Sequence, residues 1–245
     1  MLAAAVALSV VGSLGGLAVA SLLLLLPAPT RTALVPGLIS YAVGTLLGVS
    51  LLAVLPEALD GLDARAVFGA LLASILGCFM LEKLVLWRHC HADDCDVHDL
   101  GARQSATLVL VGGAVHNFAD GAIIGAAAVS SIPLGMTTAL AVAAHQVPQE
   151  VGEFAILLAA GYSRRRALLM NALSATAGVL GAVVIYGTTG LSPSAVSYVL
   201  ALAAGNFLYV AMADLIPGLH RGAIDVGAIR QVVLIAAGIG TALLL

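Results

Sequence analysis

The sequence predicts an all-α, polytopic membrane protein: eight transmembrane helices packed in one bundle, with both termini extracytoplasmic. Three observations carry that prediction: the composition, the uninterrupted length of the apolar runs, and the side on which the basic residues fall. Hydrophobic residues make up 61% and charged residues 9% of the 245, against roughly 45–50% apolar and 25% charged in soluble domains. Runs such as Leu2 to Leu26 and Gly227 to Leu245 carry at most one charge, and about 20 apolar residues suffice to cross a bilayer.

Taken in order, the spans are read at roughly 3–26, 34–57, 64–87, 104–130, 134–160, 166–187, 194–215 and 226–245. The first has no basic residue before Arg31, whereas a secretory signal needs a positive n-region, so it is read as a retained span. PAPTRT, the LDGLD region, SSIPLG, GYSRRR, GTTGLSPS and HRGAID supply the Pro, Gly, Ser and Asp that end helices. Only residues 88–103 form a longer loop. The whole chain, 1–245, is thus read as a single transmembrane domain.

Basic residues collect on the cytoplasmic side of membrane proteins. With both termini outside, Arg31, Lys83, Arg88, Arg103, Arg164, Arg165, Arg166, Arg221 and Arg230 lie at cytosolic ends and only Arg65 lies outside. The loop 88–103, rich in His, Asp and Cys, is then cytosolic. Its Cys90 and Cys95 are expected as thiols, because disulfides persist in oxidising compartments, and Cys78 is read as a packing residue. A net charge of −3 with no basic cluster interleaved with aromatics excludes a nucleic-acid partner.

Ionisable groups in the middle of a span cost roughly 2.5–3.5 kcal/mol each on insertion scales and therefore face a site, a pore or a partner. Two spans concentrate them. The fourth reads VGGAVHNFADGAIIGAA, which sets His116 and Asp120 four residues apart on one helical face, with Asn117 beside them. The fifth reads AVAAHQVPQEVGEFAILLAAG, where His145 and Gln149 repeat that spacing and Gln146, Glu150 and Glu153 lie on neighbouring rows. Pro148 cannot donate to the carbonyl of Ala144, which predicts a kink and a freed oxygen there. One His–Asp pair can be interhelical glue; two clusters on adjacent spans read as a divalent-metal site. Imidazole mixed with carboxylate and amide oxygen, and no thiolate, points to Zn²⁺, Cd²⁺, Fe²⁺ or Mn²⁺ rather than Cu⁺. Asp120 alone supplies one negative charge, so Glu150 or Glu153 is expected to approach the site as well.

At these residues the chain resembles the ZIP (Zrt/Irt-like protein) family of metal transporters, in particular its LIV-1-like branch in a bacterial form. The family's HNFxDGxAIGAA is matched by His116, Asn117, Phe118, Asp120, Gly121, Ile124 and Gly125 onward, and its HExPHExGD by His145, Pro148, Glu150 and Gly152, with Glu153 in place of the aspartate. PEAL at Pro56–Leu59, FMLEKL at Phe79–Leu84 and NFLYVAMADLIP at Asn206–Pro217 agree. The chain departs from the family at Gln146 and Gln149, where an acid and a His or Glu are usual, and span six lacks a carboxylate that some relatives carry. One well-formed metal position rather than two is therefore expected.

The resemblance implies transport of a divalent metal ion, zinc foremost, toward the cytoplasm between spans four and five. The ion is substrate and no prosthetic cofactor is expected. The metal set is His116, Asn117, Asp120, His145, Gln146, Gln149, Glu150 and Glu153. The partners are divalent ions and the lipid bilayer, a homodimer is left open, and the setting is the plasma membrane, the bacterial inner membrane. The tract WRHCHADDCDVHD in the cytosolic loop fits the family's habit of metal capture there, though it lacks zinc-finger spacing. Catalysis is not expected: a membrane-embedded metal hydrolase with Glu150 as base would need the HExxH arrangement that HQVPQE lacks. A non-transporting scaffold is the remaining alternative.

Overall fold

Apolar runs separated by turn chemistry become eight helical rods among the described residues, which in the computed structural model are 1–89, 98–189, 193–219 and 226–244. Rod α1 joins Leu2–Ser9 to Gly15–Leu25 through a π-helical stretch, Val10–Leu14. Rod α2 runs through Ala28–Val49, the π stretch Ser50–Val54 and Leu55–Gly61. Then come α3 (Ala64–His89), α4 (His98–Ser130), α5 (Ile132–Ala159) and α6 (Arg164–Thr189). Rod α7 joins Pro193–Tyr209, the π stretch Val210–Leu215 and Ile216–Leu219, and α8 is Val226–Leu244. No strand occurs among the described residues. Most of the loop read as a metal-capturing tract, including Cys90 and Cys95, lies outside the described residues, as does Arg221.

Local chemistry explains the boundaries. Asp63 accepts from the backbone N–H of Arg65 and Ala66 at 3.0 and 3.1 Å, starting α3, and Ser131 accepts from Leu134 N–H at 3.3 Å, starting α5. At the far end of α5, Gly161 has φ +83°, Gly161 N–H donates to Leu158 and Tyr162 N–H to Leu157. That is the paired closure in which a left-handed glycine satisfies the last carbonyls of a helix, and it turns the chain into α6. Rod α2 starts earlier than position 34 because Pro29 stands in its first turn, where a missing N–H costs nothing. Rod α5 continues helical through Pro148.

Five stretches are long and apolar enough to cross a membrane by composition alone: Leu2–Leu25, Ala33–Gly61, Arg164–Thr188, Ser194–Ala213 and Gly227–Leu244. The outward surface agrees, since Leu25, Leu76 and Val232 are 78%, 62% and 66% exposed, which suits lipid rather than water. Rods α4 and α5, with 33 and 28 residues, exceed the required length and carry the polar groups in their middle.

The rods pack in two sets. In one, α4 lies along α6, α5 lies against α4, and α1 covers all three; in the other, α2 lies along α8, and α3 along α7, with α7 also against α2. The sets meet where α2 crosses α5 and α7 crosses α4. The main core, including Leu46, Val54, Ile124, Val142, Leu200 and Phe207, fills that junction. A smaller cluster of Ala106, Phe154, Leu157 and Ala167 closes one end between α4, α5 and α6.

Candidate metal centre

The rotation of α4 is set by contact with the backbone of α6. A side chain at Gly121 would collide with the carbonyl of Gly178, and one at Gly181 with the carbonyl of Phe118; small residues let two helices in a membrane approach this closely. With that face turned to α6, the row bearing His116 and Asp120 faces α5, and His145 comes to meet it.

Nε2 of His116 lies 3.4 Å from Oδ2 of Asp120, Nε2 of His145 lies 3.2 Å from the same oxygen, and the two histidine Nε2 atoms are 3.2 Å apart. Zinc held tetrahedrally by bonds of about 2.0–2.1 Å keeps its ligand atoms about 3.3–3.4 Å apart. The three atoms thus stand at the corners of one face of such a tetrahedron. Among the described residues, these three are the group of His, Cys, Asp or Glu side chains that converge in this way.

Hydrogen bonding sharpens the fit. Nδ1 of His145 lies 3.1 Å from the carbonyl of Ala141, which can only accept, so Nδ1 carries a hydrogen and Nε2 is the atom that a neutral ring offers as a lone pair. That lone pair faces the fully buried carboxylate of Asp120. His116 has at most one hydrogen on Nε2 and cannot satisfy both neighbours. A cation among the three atoms satisfies all of them, and the Ala141 carbonyl fixes the ring as an outer partner of a metal ligand does. Phe207 of α7 braces the other side of the His145 ring, with centroids 6.0 Å apart.

Asp120 and His145 are sealed in, whereas His116 is partly open. It lines a cavity of about 670 Å³ between α3, α4 and α7, shared with Ser74, Cys78 and Asn206. Cys78, read from the sequence as packing, donates its thiol to Asn206 Oδ1 at 3.3 Å. The cavity lies on the seam between the two helix sets.

The other sequence-predicted residues divide into two groups. Asn117 and Gln146 engage each other through their amides, Asn117 also donates to Ser174 Oγ at 3.2 Å, and Gln146 lies against the carbonyls of Gly12 and Ser13 in the π stretch of α1. These contacts tie α4, α5, α6 and α1 together behind the triad. Gln149 donates to Glu153 Oε1 at 3.0 Å, and Glu150 and Glu153 are buried but stand outside the converging group. The expected approach of a glutamate to the three ligands is therefore not what the structure displays: five and eight residues beyond His145 place them about 7.5 and 12 Å further along the helix.

Sequence reading missed the supporting residues. Asn171 and Ser174 form a polar pair three residues apart in an apolar span, a signal that could have been found. The Ala141 carbonyl, Phe207 and the π stretch of α1 leave no such mark.

A family model described as ZIP Zinc transporter matches residues 87–245. Zinc transporter ZIP10 of Danio rerio is 40% identical over 129 residues, covering 53% of this chain and 15% of the relative. Zinc transporter ZIP4 of Homo sapiens is 46% identical over 114 residues, covering 46% and 18%, and human Zinc transporter ZIP6 is 39% identical over 136 residues, covering 55% and 18%. The chain spans under a fifth of the length of these curated relatives. With a match to the family that covers well over half of its residues, and with relatives in the LIV-1 subfamily, this chain belongs to the ZIP zinc transporter family.

Proposed function

We propose that this protein carries divalent metal ions, zinc foremost, across a membrane toward the cytoplasm. The observation that carries the reading is the triad of His116, Asp120 and His145: three acceptor atoms at tetrahedral-edge spacing, two of them sealed from water, in the middle of two long helices. The names of the relatives, zinc transporters all, point the same way, and so does the family.

In this reading the three side chains take an ion as it loses water, and a water completes the fourth position. Asn117 and Gln146 hold the ligand-bearing helices in register. Both termini are extracytoplasmic, and the membrane is the plasma membrane. Exposed Arg164, Arg165 and Arg166 at the start of α6, with exposed Lys83 near the end of α3, support that orientation. Transporters move one group of helices against another around a midplane site, and the seam between the two sets, with its cavity reaching His116, is where such movement would open the centre. Ligands must be free of protons to bind metal, so affinity falls at low pH.

The test is metal flux into proteoliposomes, comparing Zn²⁺, Cd²⁺, Fe²⁺ and Mn²⁺, with His116→Ala and Asp120→Ala as controls. Saturable flux lost in both variants supports transport and ranks the ions. Absence of flux for every metal, with protein folded and inserted, sinks it.

A further inference from the structure

Along α5 beyond the triad lies a second polar cluster. Glu150 and Glu153 are 2% and 7% exposed and, three residues apart, share a helical face. Gln149 donates to one oxygen of Glu153, but Oε2 of each glutamate is buried with no hydrogen-bond partner. From α6, the Asn171 amide reaches the Glu150 carboxyl; Asn171 is 1% exposed, and its Oδ1 has no hydrogen-bond partner. From α4, Gly113 provides a notch for the Glu153 carboxylate, since a methyl there would stand 2.8 Å from Oε1. Among the described residues neither glutamate is paired with Lys, Arg or His.

Three buried oxygens without a hydrogen-bond partner, from two carboxylates of α5 and an amide of α6, are costly in a membrane interior. We propose that Glu150, Glu153, Asn171 and Gln149 form a second divalent-cation site, separate from the triad and built only of oxygen ligands. The inference rests on the transport reading and gives the ion its next station. Two carboxylates match the charge of a divalent ion, which Asp120 alone does not. Oxygen ligands suit harder ions and hold zinc less well than imidazole does. An ion passing from the triad to this cluster goes from nitrogen-rich to oxygen-only coordination. Its hold thereby loosens, as passage requires at successive sites.

The test uses the full chain in lipid nanodiscs, with Mn²⁺ binding counted by electron paramagnetic resonance and Zn²⁺ binding measured by calorimetry. Wild type should bind Mn²⁺ in two classes. The pair Glu150→Gln and Glu153→Gln should lose one class and leave Zn²⁺ affinity at the triad within about threefold. His116→Ala with Asp120→Ala should lose the other class and the tight Zn²⁺ site. Asn171→Leu, which keeps the volume, should weaken the glutamate class by about tenfold or more, and it carries the test should the paired variant not fold. An unchanged Mn²⁺ titration in the glutamine and leucine variants overturns the proposal, and so does loss of both classes together, which would place the glutamates in the triad's own site. Zn²⁺ binding that survives loss of His116 and Asp120 counts instead against the triad as the transport site.

Discussion

Replacing Asp120 by asparagine keeps the shape of the side chain and removes the one formal charge of the triad. Asp120 is fully buried and contacts both histidines at 3.4 and 3.2 Å. Removing one partner of a buried charge pair costs about 3–5 kcal/mol, which at 1.4 kcal/mol per decade weakens metal binding by about two to nearly four decades. Thermal unfolding with and without zinc reads this directly. At a zinc concentration about 100 times its dissociation constant, wild type gains about 2.7 kcal/mol. A variant that binds about 100-fold more weakly gains only about 0.4 kcal/mol at the same concentration, so the zinc-dependent rise in Tm should nearly vanish. The rival account is an imidazolium–carboxylate pair holding α4 to α5. It requires Asp120→Asn to lose stability equally with and without zinc and to leave zinc affinity within tenfold. That pattern refutes the metal reading.

Other expectations concern what supports the triad. Phe207 is fully buried against the His145 ring, so Phe207→Ala should cost about 3–5 kcal/mol of stability, measured by thermal unfolding in detergent, and should loosen zinc binding by calorimetry. Gly121→Ala sets a methyl against the backbone of α6; the overpacking should cost about 1–3 kcal/mol and lower zinc affinity, because the same contact aims His116 and Asp120. Gln146→Glu would point a carboxylate at the carbonyls of Gly12 and Ser13. Its Tm should fall without metal and recover on adding Zn²⁺ beyond one equivalent; no recovery means that a cation does not bind at that position.

The sequence was most informative where the physics is local or where the solvent imposes it. A bilayer demands long apolar helices with every backbone group satisfied inside them, so the rods were legible from composition and turn residues, as was the pairing of His116 with Asp120 from 3.6-residue periodicity. Their ends shifted by a few residues, as at the start of α2, where Pro29 stands in the first turn and hydropathy does not register it.

What the tertiary structure decided is which of the eight candidate residues meet. His145, Gln149, Glu150 and Glu153 all lie on nearby rows of one helix, and the sequence offers no reason for the last two to stand apart from the triad. Separation follows from rise along α5, from the glycine contact that sets how α4 lies against α6, and from Gly113, which opens room for Glu153 one turn from His116. The tautomer of His145 likewise depends on the Ala141 carbonyl. The sequence by itself determined a membrane bundle with a polar centre, because burial of each residue type is written in its own chemistry. Only the packed helices decided that the centre has a three-atom nitrogen and oxygen site with an oxygen cluster beyond it, because distances between side chains on different helices depend on how closely the backbones approach.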